Sequence, residues 1–150
     1  MLKHELTQSY RDALAEGLEM SAASKEEIYA LAYRLYENGK YDEAGQLFRL
    51  LTFADLTASK HWMGLGAAYQ MLKEYEEAAA AYAAAALTDA NNPYAPLHGA
   101  ECLLELGKWE GALDALLNAE KLTTQIQKHK ELLPRIVLLR DACINKKKEQ

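Results

Sequence analysis

The chain has 150 residues, half of them apolar, which is enough for one domain with a sizeable core. Its net charge of −5 hides an imbalance: residues 1–120 carry nine Lys/Arg against nineteen Asp/Glu (−10), and residues 121–150 carry eight against three (+5). The acidic body therefore repels nucleic acid, no apolar run is long enough to cross a membrane, and Cys102 and Cys143 are too few and too distant to suggest a disulfide framework. The polar start, Met1-Leu2-Lys3-His4-Glu5, does not read as a signal peptide, so a cytosolic protein with reduced thiols is expected.

In chain order, Leu2, Leu6, Tyr10, Leu14 and Leu18 form an i, i+4 stripe that predicts an amphipathic helix over residues 1–20. That stripe must cover its apolar face, either within the chain or on a second subunit, and a weak homodimer is expected. Gly17, Ser21 and Ser24 interrupt it, and Ser24 with Glu27 reads as a capping box opening the next helix. Helices are then predicted over about 25–38, 41–54, 59–72, 75–88, 93–106 and 109–122, with Pro93 suited to a helix start after the turn Asp89-Ala90-Asn91-Asn92. The remainder, with Leu132, Leu133, Ile136, Val137, Leu139 and Ile144, is again amphipathic, and Pro134 starts or kinks it.

These helices repeat. Gly39-Lys40-Tyr41-Asp42-Glu43-Ala44 returns 34 residues later as Lys73-Glu74-Tyr75-Glu76-Glu77-Ala78, and again as Gly107-Lys108-Trp109-Glu110-Gly111-Ala112. In phase with it fall small residues at Ala32, Gly66 and Ala100 and at Ala44, Ala78 and Ala112, and large ones at Phe48, Tyr82 and Leu116. Small residues let two antiparallel helices approach, and the large one fills the gap toward the next hairpin. The period is that of the tetratricopeptide repeat (TPR). The expected fold is all-α: three TPR hairpins (25–58, 59–92, 93–126) in one right-handed solenoid, with an N-terminal helix (1–20), a C-terminal capping helix (127–145) and a basic tail (146–150).

Nothing in the chain reads as a catalytic centre. Gly64-Leu65-Gly66 lacks a third glycine and lies inside a helix, which argues for packing rather than nucleotide binding. His98 and Cys102 share a helix face but have no further ligands beside them, so neither a metal nor a cofactor is expected. Cys102 has no evident base and reads as a small structural side chain.

Tyr29, Tyr33 and Tyr36 are the more informative residues. Their i, i+4, i+7 spacing puts them on one face, beside the Ile28, Leu31, Ala32 and Leu35 side expected to pack on the following helix. In a TPR array that neighbouring face lines the concave surface, and the register continues it through Lys60, Met63, Ala67 and Gln70, then Tyr94, Leu97, Glu101 and Leu104. Amphipathic rings on a concave wall suit an extended, proline-containing peptide. The alternative is that the rings pack against the N-terminal helix.

At Tyr29-Ala30-Leu31-Ala32-Tyr33-Arg34-Leu35-Tyr36-Glu37-Asn38-Gly39-Lys40-Tyr41, Trp62-Met63-Gly64-Leu65-Gly66-Ala67 and His98-Gly99-Ala100-Glu101-Cys102-Leu103-Leu104, the chain resembles the class II chaperones of bacterial type III secretion, the low-calcium-response-H or SycD-like family. The likeness covers about residues 25–122. It implies a non-enzymatic chaperone of the bacterial cytosol that holds hydrophobic, pore-forming translocators before export, two clients being usual, with a Pro-x-Leu-x-x-Pro segment in the concave groove. Carried over, Tyr29, Tyr33 and Tyr36 touch that peptide, with Lys60, Met63, Ala67, Gln70, Tyr94, Leu97, His98 and Glu101 around it. A TPR chaperone of another secretion substrate, such as the needle subunit, would use the same concavity for an amphipathic helix. A carboxylate-clamp cochaperone would need Lys and Asn where this chain has Tyr29 and Tyr33.

Overall fold

The computed structural model describes residues 20–150, so the N-terminal stripe and any dimer contact made through it lie outside the described residues. Among the described residues seven α-helices follow one another: α1 (Ala22–Glu37), α2 (Tyr41–Ala54), α3 (Ser59–Met71), α4 (Tyr75–Thr88), α5 (Tyr94–Glu105), α6 (Trp109–Ile126) and α7 (Leu133–Lys148), the last preceded by a 3₁₀ turn at Lys130–Leu132. Each packs mainly on its neighbours in sequence, as a solenoid of hairpins requires. Among the described residues there is no strand.

The predicted helices fall within a few residues of the observed ones, and the differences have local causes. α1 begins three residues before the expected 25: Ser21, not Ser24, is the cap, its hydroxyl accepting the Ser24 N–H at 3.1 Å. α6 runs four residues past the expected 122, to a left-handed Gln127. Pro134 starts α7 rather than kinking it, because a missing N–H in the first turn costs no hydrogen bond. The residues expected as a basic tail continue α7 through Lys146, Lys147 and Lys148, where cations complement the negative end of the helix dipole. The turns between the helices of each hairpin need a left-handed residue at Gly39 and Gly107, and Lys73 takes that conformation in the middle repeat at φ 61°.

The in-phase small residues are the tightest points of the core. Ala32, Ala44, Ala78, Ala100 and Ala112 are all fully buried. Gly66 follows from its neighbour: a Cβ there would sit 2.8 Å from the Tyr82 ring. Phe48, Tyr82 and Leu116 fill the spaces between hairpins, as the repeat predicts. Leu31 departs from expectation, being 42% exposed; the packing side of α1 is Ile28, Ala32 and Leu35.

Candidate peptide-binding groove

α1 and α3 lie side by side with α2 behind them, and the surface between them is hollow. Tyr29, Tyr33 and Tyr36 form one wall of a concavity of about 380 Å³, with Lys60, Met63, Gly64 and Ala67 from α3 opposite and Asp89 and Asn92 at one end. Its floor is Phe48, reached because Gly64 has no side chain: a Cβ there would lie 2.4 Å from the ring. The Gly-Leu-Gly run is thus a packing device twice over, Gly64 for Phe48 and Gly66 for Tyr82.

The rings support one another. Tyr29 stacks on Tyr33 at 6.4 Å between centroids, meets Phe48 edge-on at 5.8 Å, and carries the Lys60 ammonium 4.6 Å above its face. Lys60 also pairs with Glu26, which holds that Glu26 carboxyl below its usual range. Tyr36 meets Tyr41 edge-on at 5.2 Å. Burial raises the phenol pKa of both Tyr29 and Tyr36, so both stay neutral hydrogen-bonding rings at neutral pH. Tyr33 is half exposed, the ring of the three most open to a ligand.

The remaining expected residues divide into three groups. Gln70 is tied up at the back of the groove, its Oε1 accepting the Tyr82 hydroxyl at 2.8 Å while its amide supports Glu101. Glu101 lies in a network of its own: His98 Nδ1 is 3.0 Å from one oxygen and Arg135 Nη2 is 2.6 Å from the other. Burial alone would raise its pKa, but the His98 and Gln70 hydrogen bonds and the neighbouring positive charge outweigh that and hold the carboxyl below its ordinary value. Tyr94 lines a second hollow with Leu122, Ile126, Lys128 and His129, which touches the first through Asp89 and Asn92. Leu97, expected along the groove, is 1% exposed and packs in the core with Leu116 and Ile136.

Sequence reasoning treated Phe48 and Gly64 as packing residues only and passed over Ser59, Asp89 and Asn92, all of which line the hollow. A signal existed for one of them, since a glycine one helix away from an aromatic residue marks a close approach. Cys102 is buried against Glu101 and its thiol is pushed up to about 12, an inert side chain rather than a nucleophile. No group of three His, Cys, Asp or Glu able to hold a metal occurs among the described residues.

The tetratricopeptide repeat family matches residues 26–55 and 59–91. Low calcium response locus protein H of Yersinia pestis is 36% identical over 129 residues, covering 86% of this chain and 77% of that protein. This chain belongs to the low-calcium-response-H family. Its relatives are translocator chaperones of type III secretion, and solved members share its architecture. The Yersinia enterocolitica chaperone SycD, in complex with a peptide of the translocator YopD, is 35% identical and superposes with a TM-score of 0.81, covering 86% of this chain and 98% of that one. SycD has also been solved as an alternative dimer. PcrH of Pseudomonas aeruginosa, in complex with the chaperone-binding region of PopD, is 35% identical with a TM-score of 0.82, covering 87% and 99%. Solved members thus combine this architecture with bound translocator segments, and this chain has a hollow lined by tyrosines on its first hairpin.

Proposed function

We propose that this chain is a chaperone of hydrophobic type III translocators, acting in the bacterial cytosol, with an extended proline-containing client segment held between α1 and α3. One observation carries the reading: Tyr29, Tyr33 and Tyr36 line a hollow floored by Phe48. A proline ring or a leucine side chain placed among these rings would remove apolar area on both partners from water, at about 25 cal/mol per Å². The tyrosine hydroxyls and Lys60 are left to meet the peptide's carbonyls. Binding is passive, without nucleotide or metal, and a weak homodimer is the expected resting form.

Relatives caught with peptides of YopD and PopD support this reading over the needle-subunit alternative. The test is co-expression with the candidate clients encoded beside this gene, followed by mass spectrometry of what co-purifies. Hydrophobic proteins carrying a Pro-x-Leu-x-x-Pro segment should be recovered. Recovery of a needle-type subunit alone would overturn the assignment.

A further inference from the structure

The 34-residue register does not stop at the third hairpin. Tyr33, Ala67 and Glu101 stand one period apart on α1, α3 and α5, and the next position is Arg135 on α7; Tyr36, Gln70 and Leu104 lead in the same way to Leu138. α7 packs on α6 as α5 packs on α4. Arg135 Nη2 lies 2.6 Å from Glu101, so consecutive members of one row touch across α5 and α7. α7 therefore extends the row of helices that carries the groove, as well as covering the end of the core.

Its row is also open. The Arg135 side chain is 64% exposed and Leu138 is 70% exposed, whereas Glu101 between them and the aromatic hollow is 12% exposed. A guanidinium has five N–H donors, and a contact with one carboxylate oxygen leaves most of them available. Charge singles out this end. Residues 1–120 sum to −10 and the rest to +5, and Lys60 in the aromatic hollow is already paired with Glu26, so an acidic side chain beyond that hollow meets a negative body and is attracted at α7. Tyr33, Ala67 and Glu101 offer it no cation, and Arg135 is the first in the row.

Building on the groove reading above, we propose that α7 is the far end of the same groove, where Arg135 and Leu138 take an acidic residue and an adjacent apolar residue of the client segment. Neighbouring helices lie about 8–10 Å apart, so this end is roughly 20–30 Å from the aromatic hollow, or about six to nine extended residues.

The test is fluorescence anisotropy with the full chain and labelled synthetic peptides. Each carries Pro-x-Leu-x-x-Pro, alone or with a Glu-Leu or Gln-Leu pair about eight residues before or after it. One of the Glu-Leu peptides should bind roughly threefold to fivefold more tightly than its Gln-Leu twin at 50 mM salt, with the advantage shrinking at 300 mM. In Arg135→Gln the twins should bind alike, and in Arg135→Glu a Lys-Leu peptide should be preferred. Because twins are compared on one protein, any loss of stability in a variant cancels. Equal affinity of the twins for the wild type, in both placements, overturns the role of α7. If the motif-only peptide still binds and is weakened by Tyr36→Ala, that failure stops at α7; if it does not bind, the groove reading falls with it.

Discussion

Where α1 presents Tyr33, half exposed and stacked on Tyr29, α5 presents Glu101, nearly covered and held by His98, Gln70 and Arg135. The two positions are equivalent in the repeat, and so are the large residues behind them, Phe48 and Leu116. Both large residues are buried, but Gly64 on α3 lets the Phe48 ring line the hollow, while Leu116 packs in the core with Leu97 and Ile136. One packing plan thus gives an apolar hollow at one end and a charged network around Glu101 at the other. Which of the two a hairpin becomes depends on a few concave side chains, because the small residues that set the helix spacing are shared.

The largest effect expected from breaking this comparison is at the large residues. Phe48→Ala should cost about 3–5 kcal/mol in urea unfolding and also remove the floor of the hollow, whereas Leu116→Ala should cost about 2–5 kcal/mol and leave client-peptide affinity unchanged. A Phe48→Ala protein that binds peptide like the wild type would show that the hollow is not the site. Next comes Ala78, fully buried in the middle hairpin that joins the two ends. Ala78→Leu should cost about 1–3 kcal/mol by forcing α3 and α4 apart, and unchanged urea stability would contradict the packing register.

Acid should separate the two ends by pH window. His61, beneath the aromatic hollow and 5.9 Å from the Tyr29 ring, is 2% exposed and neither ring nitrogen has a hydrogen-bond partner. Burial and the charge of Lys60 lower its pKa, against smaller opposing effects of Asp55 and the Leu51 and Asp55 carbonyls. The unfolded chain therefore takes up this proton near pH 6.5 and the folded protein only at lower pH, so the stability is full above about 6.5 and falls as pH drops through it. The Glu101 carboxyl is depressed as well, but from the carboxylate range, so its contribution is full above about 4.5 and is lost as pH falls below that. Stability against urea should decline first between pH 7 and 5, by at most about 1.4 kcal/mol per pH unit for one proton. His61→Leu should remove that step and leave neutral-pH stability equal or higher, since a buried group without partners is lost. An unaltered pH slope in His61→Leu would place the acid sensitivity elsewhere.

The helices and their packing were legible because they rest on a period: small residues at 32, 66 and 100 and at 44, 78 and 112 can only face a close neighbour, and all of them prove buried. The aromatic wall was legible for the same reason, from three tyrosines at i, i+4 and i+7. Leu97 was not, since a register position says which way a residue points on an ideal helix but not that Leu116 and Ile136 will close over it as core. Nor was the Glu101 network, which depends on Arg135 arriving from beyond the third repeat. The cap at Ser21 rather than Ser24 shows the usual ambiguity of helix starts, where two hydroxyls compete within one turn.

The central claim is that the tyrosines of α1 grip the client, and calorimetric titration tests it most directly. A client peptide limited to the proline motif should bind the wild type with a Kd around micromolar, about −8 kcal/mol, and with little salt dependence. Tyr33→Ala and Tyr36→Ala should each weaken that binding by at least about 1–2 kcal/mol while the helical circular dichroism and urea midpoint stay close to wild type. If both variants, still folded, bind the peptide as tightly as the wild type, the rings serve only packing and the groove between α1 and α3 is not where the client is held.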